Sequence, residues 1–466
     1  MGIQARSCIL SSFASFSMNR ALCLLKILGQ INNHLYGDLR ALAAVIRVNH
    51  TWFACGINIL WQAPPCRALA NITKDRRQLY ATYVYHLSIE QRFLSQLEGL
   101  AFPRLQYLSI NRETGSSKEW SPSLPCLAPS LLELALCGTG VEPSILGLLP
   151  KSCPLLTKLT LKELGPGISS QDLLILLENN PRVQELHLLC RTHNVVCDQV
   201  LTSLALRRNL KTLELDTWMT VSHLRGISGL THPPFPAVEY LAMQIVSPAV
   251  SQFVESFRSA PLRKMEITVQ YSGGNRSPGH ATLMALSHFV FLEVLHIRFS
   301  GNGVVLRDEL KVFRNLENLR TLTLEPDQDL HPENGDFTDD DVDQLLLHLP
   351  LLENFSLYYQ SKHVTTSIWR IIAARCPRLM RCEVPVGFVP ESQQKQALFP
   401  RLETLIIDGI YPRSEAGGEK EIDREATRIV KLIQHHFPRL REFENWVFDD
   451  FSELVNEKWR AELNVL

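Results

Sequence analysis

Three groups of residues in this 466-residue chain carry side chains able to do chemistry. The first is His435-His436, a potential metal pair just ahead of Phe437-Pro438. On a predicted helix, successive side chains point about 100° apart. Two neighbours therefore cannot close on one ion as an i, i+4 pair would, and both rings are expected at the surface. The second group is acidic: Glu325-Pro-Asp-Gln-Asp-Leu-His-Pro-Glu-Asn-Gly-Asp336, running into Asp339, Asp340, Asp341 and Asp343. It opens like a calcium loop but lacks glycine at the sixth position and the closing glutamate. What remains is a charged insertion, with Asp339, Asp340 and Asp341 as a candidate contact for a basic segment of a protein substrate. The third group is the eleven cysteines. Their number is odd and no two are spaced Cys-x-x-Cys, so they are expected as buried thiols of a reducing compartment rather than disulfides or zinc ligands. Metalloprotease, nucleophile-elbow and phosphate-loop signatures are absent. No catalytic, cofactor-binding or metal-ligating residue is expected, no cofactor is implied, and the chain reads as a non-enzyme.

The elements that position these residues are repeats. The pattern Leu-x-x-Leu-x-Leu usually follows a residue and a proline, as in Phe102-Pro-Arg-Leu-Gln-Tyr-Leu-Ser-Ile110, Cys153-Pro-Leu-Leu-Thr-Lys-Leu-Thr-Leu161 and Phe399-Pro-Arg-Leu-Glu-Thr-Leu-Ile-Ile407. The first apolar position recurs fourteen times: Val84, Leu105, Leu131, Leu156, Val183, Leu210, Val238, Leu262, Leu292, Leu319, Leu352, Leu379, Leu402 and Leu440. Spacings run from 21 to 38, and ten of thirteen lie between 21 and 28. A repeat of this period resembles the leucine-rich repeat. Within a copy, alternation predicts a short strand. A capped helix follows, as at Ser169 before Leu173 and at Thr338 before Val342. The proline then stops that helix, because it disfavours the α conformation in the residue before it. No copy buries enough apolar surface alone, so the copies must stack.

The expected organisation is a disordered extension over 1–18, a helical module over 19–63, a solenoid over 64–445 and a capping helix over 446–466. Plain loops are expected at 272–279 and 411–418. With 47 basic against 48 acidic residues and no long basic stripe, a nucleic-acid partner is not expected. Apolar windows are broken too often for a membrane span.

In the module, Leu24, Ile27, Leu28, Ile31 and Leu35 form one apolar stripe at helical spacing. Gly37-Asp38 restarts the chain, and a second helix carries Leu39, Leu42 and Ile46 on one side and Val45, Val48 and Trp52 on another. A third stretch ends in Leu60-Trp61 before Pro64-Pro65. So small a bundle has more apolar surface than it can bury internally. The layout Ile27-Leu28-x-x-Ile31-x-x-x-Leu35-x-x-Asp38-Leu39, then Val48-x-x-x-Trp52, then Leu60-Trp61, resembles an F-box over residues 22–63. Together with the repeats, the chain is similar to F-box/leucine-rich-repeat proteins. The resemblance implies an α/β leucine-rich-repeat solenoid (horseshoe) preceded by a small all-α F-box-like module. It also implies a substrate receptor of a Skp–cullin–F-box ubiquitin ligase, working in the cytoplasm, the nucleus or both. Its partners would be a Skp-type adaptor, through it a cullin, and an unknown protein substrate; the chain would be a monomer within that larger complex. Adaptor-binding candidates on this reading are Leu24, Leu25, Ile27, Leu28, Ile31, Leu35, Leu39, Val48, Trp52, Leu60 and Trp61. The family usually has a proline and an acid ahead of its Ile-Leu pair, where this chain has Leu25-Lys26; weakened adaptor binding is the expected result. The alternative is a non-catalytic scaffold or regulatory binding protein whose helical segment only caps the first repeat.

Overall fold

The computed structural model describes residues 26–35, 37–111, 126–165, 167–190, 192–270, 284, 286–300, 305–306, 310–326, 335–388, 396–410, 418–446 and 450–463. The expected extension over 1–18, Leu24, Leu25, the insert at 272–279, residues 411–417 and residues 327–334 of the acidic stretch lie outside them. The chain divides into two units, Met1–Arg191 and Thr192–Leu466.

Unit 1 opens with helical residues 26–34, then helices Leu39–Val45 and His50–Leu60. Asp38 caps the second of these, its carboxylate accepting from the Arg40 and Ala41 amides at 3.0 and 2.9 Å. One sequence expectation is corrected here. Val45, Val48 and Trp52 do not share a helix, because Asn49 accepts from the Thr51 and Trp52 amides at 3.0 Å and starts a new one. Helices Cys66–Ala70 and Lys74–Ala81 follow. Five parallel strands then pair in sequence order: β1 (His86–Glu90), β2 (Tyr107–Asn111), β3 (Glu133–Val141), β4 (Lys158–Leu164) and β5 (Glu185–Leu189).

Unit 2 continues the scheme with β6 (Thr212–Met219), β7 (Tyr240–Val246), β8 (Lys264–Gln270) and β9 (Val294–Ser300). A two-residue parallel ladder joins β10 (Val305–Leu306) to β12 (Gly335–Asp336) outside the main sheet. The main sheet proceeds from β9 to β11 (Thr321–Pro326), β13 (Asn354–Leu357), β14 (Arg381–Val384), β15 (Thr404–Ile407) and β16 (Glu442–Asn445). Gly335 is required where the insert rejoins, because a Cβ there would meet the Phe337 ring at 2.6 Å and the Gln360 carbonyl at 2.8 Å.

The returns between strands are mostly α-helices. Ser170–Asn179 and Asp339–Leu346 begin at Ser169 and Thr338, each in a reciprocal capping box with Asp172 or Asp341. Two returns are tighter 3-10 turns, Gln91–Gln96 and Lys311–Asn315. The proline acts twice. The residue before it leaves the helix in one recurring conformation, with φ −130, −122, −118 and −129° at Cys153, Asn180, Cys376 and Phe437. The same residue's carbonyl then accepts from the first strand leucine, as at Leu156 (3.2 Å), Leu379 (3.2 Å) and Leu440 (3.1 Å), closing a β-turn into the strand. Next, one carbonyl per repeat receives two successive amides of the following repeat. Arg320 and Thr321 donate to Glu293 at 2.7 and 3.0 Å, and Glu353 and Asn354 to Arg320 at 2.7 and 2.9 Å. All fourteen first apolar positions are buried. Parallel in-register strands with helical returns make each unit a leucine-rich-repeat array of the α/β class.

Candidate functional site

The helical residues sort by face. Leu28 and Asn32 are buried, with Leu35 half-buried beside them at i+7. Ile27 and Ile31 point the other way, 53 % and 39 % exposed, and Leu39 and Val48 are 50 % and 63 % exposed. Trp52, Leu60 and Trp61 are half-buried, and Trp61 stacks on Tyr80 with ring centroids 4.5 Å apart. Leu24 and Leu25 lie outside the described residues. The apolar stripe read from sequence is therefore two faces, one folded inward and one outward. Asn32, which sequence reasoning passed over, is fully buried, and neither its oxygen nor its nitrogen has a hydrogen-bond partner among the described residues. It packs where His50–Leu60 approaches closely: a Cβ on Gly56 would stand 2.5 Å from Ile46 Cγ2 and 3.4 Å from Asn32 Nδ2. Its helical spacing of four from Leu28 was the available signal.

The acidic candidates are partly spent inside the chain. Asp339 accepts from the Thr365 amide at 3.0 Å, Asp341 serves the Thr338 capping box, and Asp340 is exposed. Asp343 is held below its ordinary value by Arg375, whose Nε donates to it at 2.7 Å. The two histidines separate: His435 is exposed, but His436 is fully buried, with the rings 5.0 Å apart. The surface expectation fails for His436 because the helix turns that position toward the core, next to Phe437. The nine described cysteines are thiols outside any disulfide, and burial pushes the Cys153 and Cys376 thiols up to about 12. Among the described residues no cluster of His, Cys, Asp and Glu could hold a metal, and no helix is long and apolar enough to cross a membrane.

Each strand's first, third and fifth residues point away from the core, which gives each unit a second surface. In unit 2 these positions carry Glu214, Asp216, Glu266, Glu325, Glu383, Glu442 and Glu444 against Lys264, Arg298 and Arg381. In unit 1 the same positions hold Glu90, Glu133 and Glu185 against Lys158 and Lys162. Burial pushes the Glu325 carboxyl up, but His296 Nε2 at 2.9 Å and Arg298, whose Nε donates at 2.7 Å, together hold it below its ordinary value. Burial, and then the Glu266 and Glu214 charges, push the Tyr240 phenol up. Lys264 Nζ sits 4.6 Å from the centre of that ring and 2.8 Å from Glu266. Beyond β13, Tyr358 stacks on Trp446 at 5.3 Å, and Glu383, buried although its strand position faces outward, accepts from the Ser356 hydroxyl at 3.3 Å. Trp446 thus belongs to the sheet face, and the terminal helix begins at Asp450, packing Trp459 edge-on against Phe443 at 5.8 Å.

No protein-family model matches the chain, and no curated protein does. Among solved structures, a yeast Rad7–Elc1 complex aligns over 89 % of this chain and 96 % of the other, with 14 % identity and a TM-score of 0.45. A leucine-rich-repeat protein of Leptospira interrogans aligns over 79 % and 97 %, with 14 % identity and a TM-score of 0.34.

Proposed function

We propose that this chain is a non-catalytic recruiting protein. On this reading the helical segment docks on a Skp-type adaptor, and through it a cullin, while the sheet faces of the repeats hold a protein to be ubiquitinated. Such a role belongs to the cytoplasm or nucleus. The observation that carries the proposal is the outward set Ile27, Ile31, Leu39 and Val48, four large apolar side chains left exposed on a segment spanning residues 26–61. Scattered exposed leucines are ordinary, but several on so small a module mark a surface that a partner covers. Lys26 stands where the family has an acid, which weakens the helix start without touching the apolar set.

Co-purification with a Skp-type adaptor tests the reading on the full chain. Ile31→Asp with Val48→Asp should abolish capture while leaving the circular dichroism spectrum and the unfolding midpoint in place. Stacking of Trp61 on Tyr80 favours a second reading, in which the segment only seals the first repeat of a scaffold. A chain that never captures the adaptor, with or without the two aspartates, would establish that second reading and remove the first.

A further inference from the structure

The turns that lead into the strands repeat one layout, and one stretch of unit 2 departs from it. The residue just before the first apolar position is arginine in five copies, at Arg104, Arg182, Arg378, Arg401 and Arg439. In the four consecutive copies that begin at Leu262, Leu292, Leu319 and Leu352 it is Pro261, Phe291, Asn318 and Leu351. Stacking brings these four turn residues to one cavity of about 530 Å³, on the side where the chain enters β8, β9 and β11. Pockets that hold ligands run from about 300 to 1,000 Å³. Buried Leu262 and Phe289 line the cavity, and so does Phe291, which is 70 % exposed. The turn does not need that ring. Leu292 closes it by donating to the Phe289 carbonyl at 3.1 Å, as Leu379 does to Cys376 at 3.2 Å in a copy that carries arginine. Phe291 is therefore apolar surface that the repeat itself does not require.

The charged lining of the cavity is mostly cationic. Arg258, Arg263 and Arg320 stand against one carboxylate among the described residues, Glu293. That carboxylate is already occupied by Arg263, whose Nη1 donates to it at 2.6 Å, and Arg320 donates to Glu353 at 2.6 Å. Arg258, exposed just past the helix Val250–Phe257, carries no ion pair among the described residues. We propose that this cavity takes a protein segment in which Glu or Asp stands next to a bulky apolar residue. Its carboxylate meets the Arg258 guanidinium, a planar fork suited to that group, and its apolar side chain packs against Phe291, Phe289 and Leu262. Three guanidiniums against one committed acid select an anionic occupant, and the aromatic wall selects one with an apolar side chain. This deepens the recruiting role proposed above by naming the class of segment held beside the sheet face of unit 2, and rests on that role.

The test uses the full chain and fluorescein-labelled, C-terminally amidated peptides read by anisotropy. One peptide is Ser-Gly-Glu-Phe-Glu-Gly-Ser; a second carries Ala for Phe, and a third Lys for Glu. The first should bind saturably, the Ala peptide about tenfold more weakly, and the Lys peptide not at all. Arg258→Glu and Phe291→Ser should each weaken the first peptide about tenfold, with the unfolding midpoint unchanged because both side chains are exposed. Arg424→Glu, an equal charge reversal on the exposed face of the helix Glu419–His436, should leave binding unchanged. Equal binding of the Phe and Ala peptides, insensitivity to Arg258→Glu or Phe291→Ser, or no saturable binding would each overturn the proposal. Adaptor capture is measured in parallel. Capture by the unmodified chain without peptide binding sinks this inference alone, whereas peptide binding without capture keeps the cavity's assignment and removes the recruiting role.

Discussion

The helical segment and the repeats obey opposite rules of burial. Every first apolar position of the repeats, from Val84 to Leu440, is 6 % exposed or less. Between residues 26 and 61, by contrast, Ile27, Leu39 and Val48 are at least half exposed, and a buried Asn32 has neither polar atom paired among the described residues. The repeats stack on neighbours of the same design, so each apolar rung meets another. Among the described residues the helical segment has no neighbour of its own kind, and Ile27, Ile31, Leu39 and Val48 stay exposed. An unpaired buried amide costs free energy comparable to a lost hydrogen bond. The contrast is between repeats that bury their apolar rungs against one another and a segment that leaves part of its apolar surface exposed.

Four substitutions would break or sharpen this contrast. The largest effect is expected at a rung. Leu322 is fully buried on β11 between β9 and β13, and Leu322→Ala should cost about 2–5 kcal/mol in urea unfolding. A loss as small as that of a surface substitution would mean the rungs do not carry the stack. Asn32→Leu should act in the other direction, raising stability by about 1 kcal/mol, because it removes an unpaired buried amide while keeping side-chain bulk. Destabilisation there would show that Asn32 has a partner and that the segment is not the weaker region. Ser169→Ala should cost about 1 kcal/mol at neutral pH by removing a capping box. The Ser169 hydroxyl and amide hold the Asp172 carboxyl below its ordinary value. A depressed carboxyl contributes stability above its unfolded value and loses it as pH falls through its folded one. The gap between wild type and Ser169→Ala should therefore close in acid, below about pH 4; a gap constant down to pH 2 would assign the loss to something other than that carboxylate. The smallest effect is expected at Ile27→Ala, within about 0.5 kcal/mol because the side chain is exposed. A large cost in thermal melts would place Ile27 in a core and erase the contrast.

Much of the repeat architecture was legible. The proline stop, the leucine register and the capping pairs Ser169/Asp172 and Thr338/Asp341 are local devices, settled by a few adjacent dihedrals and hydrogen bonds. The helical segment was legible only in part. Asp38 announced its cap, but the restart at Asn49 was hidden under an apolar pattern that continued through Val48 and Trp52. The difference between the buried pair Leu28/Asn32 and the exposed pair Ile27/Ile31 was hidden too, because periodicity gives the width of a stripe and not the height of the wall it meets. His436 went astray for the same reason. Its helix position was readable, but the depth of burial depends on the packing around it. Of the contact candidates Asp339 to Asp341, two are bound inside the chain, Asp339 to Thr365 and Asp341 to Thr338, and the link to Thr365, 26 residues away, was not legible.

By itself the sequence determined the unit that repeats, because a strand, a turn and a capped helix are specified within a window of some two dozen residues. Only the tertiary structure decided which residues of different units come together. The alignment of Glu214, Glu266 and Glu383 in one row depends on a register set by successive carbonyls gripping the next repeat's amides. The reach of Trp446 back to Tyr358 depends on the packing of residues 88 positions apart. Such meetings are fixed by how copies stack, and nothing within a single copy records them.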